Sequence, residues 1–525
     1  MADEKQSTPP SAESTREVGH IDIEAATTPD GLKLHPQPTA DALDPLNWSK
    51  LRKHTILAIV MLKYFLFTYV TTTTVPSFPA IQEQFNISFS QVNWTVAIPA
   101  LGLAAGPLIW PSFSDIYGRR IIFIIGTIIS LAATCGAAVA PTYGGYMAAR
   151  FFQGLGVSPA ATVGMAVVGD LYFEHERGQK LGLWVLALDT GLLVGPIFGG
   201  FLNLVSAAWI NWFNAILFAV LLVLELFFMP ETLYPRNLML SQLPSALESP
   251  DVTDNEKSGP ISRQTTASID ILRTTKLPFL NTKPIPGLRH PKPWDTVIRF
   301  LLTFKQPVVA LAVLGYSFVW YWWVLSIVTM APAAYAQYTP LIQGLLFIGL
   351  LLGTLFSEVF CSGSLSDWIV ARLAKRNGGV RIPEMRLWLA YPALVITAIG
   401  LIVWGISIDR GYHWMVGQVA FFLFAAGIQI GNTVTSSYIV DSYPLQSMSV
   451  ITFYAVFINL SAFINPFFIA VWQETSGWTM TFASQGIIVF FGGLVLYGSL
   501  HMFGGKLREK TSQPTWVNAE FDVSI

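Results

Sequence analysis

Along this chain, windows of about 20 apolar residues, the length that crosses a bilayer as an α-helix, alternate with short polar breaks. Twelve are predicted: 55–75, 92–110, 121–140, 146–168, 181–205 and 209–229, then, beyond a long polar stretch, 308–330, 341–361, 387–408, 415–440, 449–472 and 478–502. The pattern divides the chain into a tail over 1–50, a six-helix half over 51–232, a linker over 233–305, a second six-helix half over 306–503 and a second tail over 504–525. The expected fold class is all-α and polytopic, with twelve transmembrane helices in two pseudo-symmetric halves. The first tail is rich in Ser, Thr, Pro and acids and lacks the short apolar core of a signal peptide, so it reads as disordered, and helix 1 acts as its own targeting segment.

The two halves echo each other. Ser114-Asp115 follows helix 2 and Ser366-Asp367 follows helix 8, while Asp170-Leu171-Tyr172 closes helix 4 and Asp441-Ser442-Tyr443 closes helix 10. Similar offsets are expected of halves related by an axis along the membrane normal, the arrangement from which alternating-access carriers are built. The first part of the linker reads as disordered and open to phosphorylation. At its end, Trp294, Val297, Ile298, Leu301 and Leu302 recur at three and four residues beside Lys292, Arg299 and Lys305. That spacing fits either a helix lying in the cytoplasmic interface or an early start of helix 7.

Composition agrees with the pattern. The chain is 53% hydrophobic and 12% charged, about half the charged share of a soluble protein, and its mean hydropathy is +0.52. A net charge of −1 gives no field that would draw nucleic acid. Lys and Arg gather in the tails and in the loops after helices 2, 4, 6 and 8, with Arg410 as the exception, so both termini and the linker are expected in the cytoplasm. The cell membrane is the expected location, and Asn86-Ile87-Ser88 becomes an external glycosylation sequon. Cys135 and Cys361 fall in apolar stretches and offer neither a disulfide framework nor a zinc site. With no phosphate loop, His-Glu-x-x-His or Cys-x-x-Cys, no catalytic set, cofactor or metal is expected.

Helix 5 carries the sharpest local signal, Gly191-Leu192-Leu193-Val194-Gly195-Pro196-Ile197-Phe198-Gly199-Gly200. Gly191, Gly195 and Gly199 share one helical face that admits a neighbouring backbone, and Pro196 removes a backbone donor. The pattern resembles the antiporter signature of the major facilitator superfamily. Pro111-Ser112-Phe113-Ser114-Asp115-Ile116-Tyr117-Gly118-Arg119-Arg120 is similar to that superfamily's cytoplasmic loop, keeping Asp115, Gly118, Arg119 and Arg120 but with Ile116 where a basic residue is usual. Arg150-Phe151-Phe152-Gln153-Gly154-Leu155-Gly156 resembles its helix-4 motif, in which a buried arginine is associated with proton coupling. Asp44-Pro45-Leu46-Asn47-Trp48-Ser49 and Met229-Pro230-Glu231-Thr232-Leu233-Tyr234-Pro235-Arg236 look like fungal drug-proton antiporters with twelve helices.

An ionisable side chain near the bilayer centre costs at least about 2.5 kcal/mol and needs a partner, a wet cavity or a task. Asp189, just before the glycine signature, and Arg150 are the expected proton-coupling pair, with a static pair holding helices 4 and 5 in register as the alternative. Lys63 either holds an anionic group of the cargo or snorkels to the cytoplasmic surface. Glu225 and Glu358 read first as interfacial. The resemblance implies that helices 1, 4, 7 and 10 line the cavity, which places Tyr64, Phe67, Gln153, Tyr316, Trp320, Trp323, Gln429 and Asn432 at the cargo, together with Lys63. Those side chains suit a bulky, mostly neutral organic molecule. The expected function is proton-coupled efflux of small hydrophobic molecules by a monomer in the lipid bilayer, with Asp367 joining the loop residues that follow the conformational change. Proton-coupled import of a nutrient or iron-chelate, and a non-transporting sensor using the long linker, are the alternatives.

Overall fold

The computed structural model describes residues 36–39, 41–234, 236 and 291–511. Among them the chain is helical and contains no strand. The first half comprises α1 (Lys50–Thr72), α2 (Phe89–Tyr117), α3 (Arg119–Ala138), α4 (Tyr143–Leu171), α5 (Glu174–Asn203) and α6 (Ala207–Phe228). The second begins with α7 (Pro307–Ala334), α8 (Pro340–Arg376), α9 (Pro383–Asp409) and α10 (Trp414–Ser442). It closes on one helical run, Ser447–Lys510, whose 64 residues would stretch about 96 Å, some three bilayer cores. Gly477, at φ 74° and ψ 171°, breaks that run. The break leaves two crossings, α11 (447–476) and α12 (478–510), so eleven apolar runs make twelve membrane helices.

Glycine and proline set the packing. In α5, a Cβ on Gly191 would sit 2.2 Å from the Phe65 carbonyl oxygen, and one on Gly199 2.0 Å from that of Thr73, so only glycine lets α1 lie this close. Pro196 deprives the Leu192 carbonyl of its helical donor, and the Thr72 hydroxyl of α1 donates to it at 2.7 Å instead. On its other side, α5 meets the second half. A Cβ on Gly344 of α8 would lie 2.5 Å from the Pro196 oxygen, and one on Gly200 would lie 2.9 Å from that of Pro340. The signature therefore serves two partners, one in each half. The second crossing between halves joins α2 to α11, where Trp94 and Phe467 pack with ring centroids 5.3 Å apart.

Two expectations for the flanking segments are settled by the described residues. The tail is not disordered to residue 50. Pro45–Asn47 forms a turn of 3-10 helix capped by the Asp44 side chain, and Asp44 is fully buried. The end of the linker is a separate helix, Asp295–Thr303, and not an early α7, because Pro307 starts α7 anew. This helix packs on α2 and α11, with Phe300 against Phe453 and Phe457, and leaves Trp294, Ile298 and Leu301 exposed. The expected disordered part of the linker and the far ends of both tails lie outside the described residues. Asn86 is exposed and ends a short helix, Phe78–Phe85, in the left-handed conformation that asparagine tolerates.

Candidate functional site

At the junction of the halves lies a small cavity lined by Asp189, Leu192 and Leu193 of α5, Tyr321, Val324 and Val328 of α7, Leu350 and Thr354 of α8, and Phe424, Ala425, Ile428, Gln429 and Asn432 of α10. It encloses about 30 Å³, room for a water or two, whereas pockets for drug-sized molecules run from about 300 Å³. The halves are closed on each other here.

One hydrogen-bond network crosses the junction. Gln429, close to the midpoint of α10, donates one amide hydrogen to Asp189 Oδ2 at 2.8 Å and the other to Glu358 Oε2 at 2.9 Å. Asp189 belongs to the first half, Glu358 and Gln429 to the second. Asn432, one turn further along α10, accepts a short hydrogen bond from the Tyr454 hydroxyl.

The expected Asp189–Arg150 pair is not formed. Arg150 is fully buried and binds main-chain oxygens: Val70 at 2.8 Å, Thr71 at 2.9 Å and Thr95 at 3.2 Å. The reason is local. Val70 and Thr71 end α1, where helical carbonyls lack donors, and Pro99 strips the Thr95 carbonyl of its own. A guanidinium with five donors satisfies all three and, through the Gln153 side chain at 2.8 Å, is held to Thr134 of α3. Gln153 therefore braces Arg150 away from the cavity.

Lys63 neither snorkels nor lines the cavity. Its three ammonium hydrogens go to the Phe123 carbonyl at 2.6 Å, the Thr127 hydroxyl at 2.8 Å and Glu225 Oε1 at 3.2 Å, and both charges are wholly buried. Glu225 is thus an internal partner and not an interfacial group. Tyr64 stacks on Trp184 of α5 at 4.1 Å and tilts against Phe67 within the first half. Tyr316 donates to the Ile428 oxygen, Trp320 to the Thr397 hydroxyl and Trp323 to the Val319 oxygen, so none of the three lines the cavity. Of the expected cargo residues, Gln429 and Asn432 do.

Tyr321 and Glu358 are the lining and network residues that the sequence reading missed. Both sit in π-helical segments, Tyr316–Tyr321 and Ser357–Leu365, whose wider turn shifts every later side chain around the helix. Glu358 also looked terminal because apolar residues thin out at 361, yet α8 continues to Arg376.

The arginine-rich end of the bundle carries two further networks. Arg119 bonds the Asp115 carboxylate, the Ser114 hydroxyl at 2.9 Å and Asp170 Oδ2 at 3.4 Å. Arg386 pairs in the same way with Asp367 at 3.4 Å and with Asp441. Each arginine joins the two repeated acidic positions of its own half. Glu231, just after α6, accepts from the backbone N–H groups of Arg119 at 2.8 Å and Arg120 at 3.2 Å, which caps α3. Gly118 makes room for it, with φ 107° and a would-be Cβ 2.3 Å from the Glu231 carboxylate. The two strings that flank the first half also meet, where Arg236 grips Asp44 through both oxygens at 2.9 and 3.3 Å. Burial opposes the Asp44 charge, but Arg236 and the N–H groups of Thr39 and Leu46 outweigh it and hold the carboxyl below the usual carboxylate range.

The Major Facilitator Superfamily model matches residues 60–446. A protein of Aspergillus flavus named probable efflux pump mfs2 is 30% identical over 82% of this chain and 98% of its own length. The efflux pump radE of Floropilus chiversii is 27% identical over 83% of this chain and 78% of its own. Among solved structures, the xylose transporter XylE from E. coli, in a partially occluded inward-open conformation, aligns with TM-score 0.60 at 15% identity over 86% of this chain and 98% of that one. Twelve helices in two like halves, a central cavity between them and a family match across most of the chain together make this protein an integral membrane transporter of the major facilitator superfamily.

Proposed function

We propose that the chain is a proton-coupled antiporter that exports small hydrophobic organic molecules by alternating access. The observation that carries this reading is the Gln429 amide held between Asp189 and Glu358, because this contact between halves runs through titratable carboxylates. A proton taken by Asp189 relieves its repulsion with Glu358 and weakens a charge-assisted hydrogen bond across the junction, so protonation and opening are linked. The helix-5 signature and relatives named as efflux pumps support outward transport. The arginine-rich end then faces the cytoplasm and Asn86 the outside of the cell membrane, in keeping with the distribution of Lys and Arg.

Inside-out vesicles carrying the protein, acidified within, test it directly. Hydrophobic fluorophores should accumulate inside the vesicles against their gradient, and a protonophore should stop them. Asp189→Asn should abolish gradient-driven accumulation. Unchanged accumulation in that variant would remove Asp189 as the proton site, and movement in the opposite direction would make the protein an importer.

A further inference from the structure

The central site is short of positive charge. Asp189, which lines the cavity, and Glu358, just behind it, each offer one carboxylate oxygen to the Gln429 amide, whose two hydrogens are thereby committed. Thr354 lines the same cavity with only 4% of its surface exposed, and its hydroxyl takes no hydrogen bond among the described residues. The intramembrane cations are engaged elsewhere: Lys63 by Phe123, Thr127 and Glu225, and Arg150 by backbone carbonyls and Gln153. By contrast, several carboxylates among the described residues are matched with cations, Glu225 with Lys63, Asp170 with Arg119 and Asp441 with Arg386. At the centre, two carboxylates share a neutral donor, which compensates charge poorly in a medium of low dielectric constant.

Aromatic faces complete the arrangement. Tyr321 and Phe424 line the cavity together with Asp189, and the faces of such rings attract cations. We propose that the cargo is a hydrophobic organic cation, an apolar or aromatic body carrying a protonated amine, and not the neutral molecule that the sequence suggested. When the halves part, the ammonium hydrogens take the oxygens of Asp189, Glu358 and Thr354, and the Gln429 amide, which holds that place in the closed state, is displaced. The inference rests on the export reading only in taking this cavity as the cargo site.

Two probes that share a body but differ in charge decide the matter. Dansylcadaverine carries an ammonium group at neutral pH, and its N-acetyl derivative is neutral. Binding to the purified full-length protein is read from dansyl fluorescence, and transport from proteoliposomes with an imposed proton gradient, each corrected against protein-free lipid. The ammonium probe should bind and move at least about tenfold better, the ratio expected from one charge-assisted hydrogen bond. Asp189→Asn and Glu358→Gln should each bring that ratio toward one, while the wild-type comparison stands without relying on either variant's folding. Equal or better handling of the neutral probe overturns the proposal, and if the gradient drives that probe the export reading survives. Selective binding of the ammonium probe without gradient-driven movement would keep the cation site and refute export. Binding of neither probe overturns the proposal.

Discussion

The arginine networks of the two halves have the same plan and different surroundings. In the first half, Arg119 is 11% exposed at its side chain, lies under the Glu231 cap and adjoins the sealed Asp44–Arg236 clasp. In the second, Arg386 pairs with Asp367, which is 75% exposed, and with Asp441, which is 39% exposed. Exposed ion pairs contribute little because water screens them, whereas a buried pair that loses one member leaves an uncompensated charge. The repeat has thus yielded one network that fixes its half and another that can rearrange at small cost.

The largest effect should come from the clasp. Asp44→Asn leaves Arg236 buried without its counter-charge and should lower stability by about 3 kcal/mol in thermal unfolding of the purified protein. Its pH dependence follows from the depressed carboxyl: the stabilisation is full above the unfolded value near 4 and fades only as pH falls through the lower folded value. The gap between wild type and Asp44→Asn should therefore stay constant from neutrality to about pH 5 and close only in stronger acid. Next comes Arg119→Ala, at about 2 kcal/mol, below the fully buried limit because Asp115 is partly wet. Gly118→Ala should cost about 1–2 kcal/mol through its positive φ and its collision with Glu231. Arg386→Ala should cost less than about 0.5 kcal/mol. Equal losses for Arg119→Ala and Arg386→Ala would dissolve the distinction between the halves.

Much of the fold was legible because membrane spans announce themselves by length and apolarity, and because Gly191, Gly195 and Gly199 lie four apart on the face that meets α1. The acidic repeats were legible too, though not the arginines that join them. Partners within the bilayer were not. Arg150 answers to carbonyls freed by Pro99 and by the end of α1, which no spacing of side chains records. The Lys63–Glu225 pair spans more than half of the first six helices in sequence, and its match depends on how α1 and α6 are turned. Tyr321 escaped because a regular period of 3.6 residues fails across the π-helical turn that ends on it, and Glu358 because the thinning of apolar residues near 361 made it look terminal.

The division of labour along α5 bears on how such a protein can diversify. Gly191, Gly195 and Gly199 are fixed by the α1 backbone, while Leu192 and Leu193, between them in sequence, face the cavity and pack against side chains of the second half. If the cavity holds the cargo as proposed, exchange of those leucines alters side-chain packing between the halves while the backbone contact of α5 with α1 stays inherited, so one helix separates what can drift from what cannot.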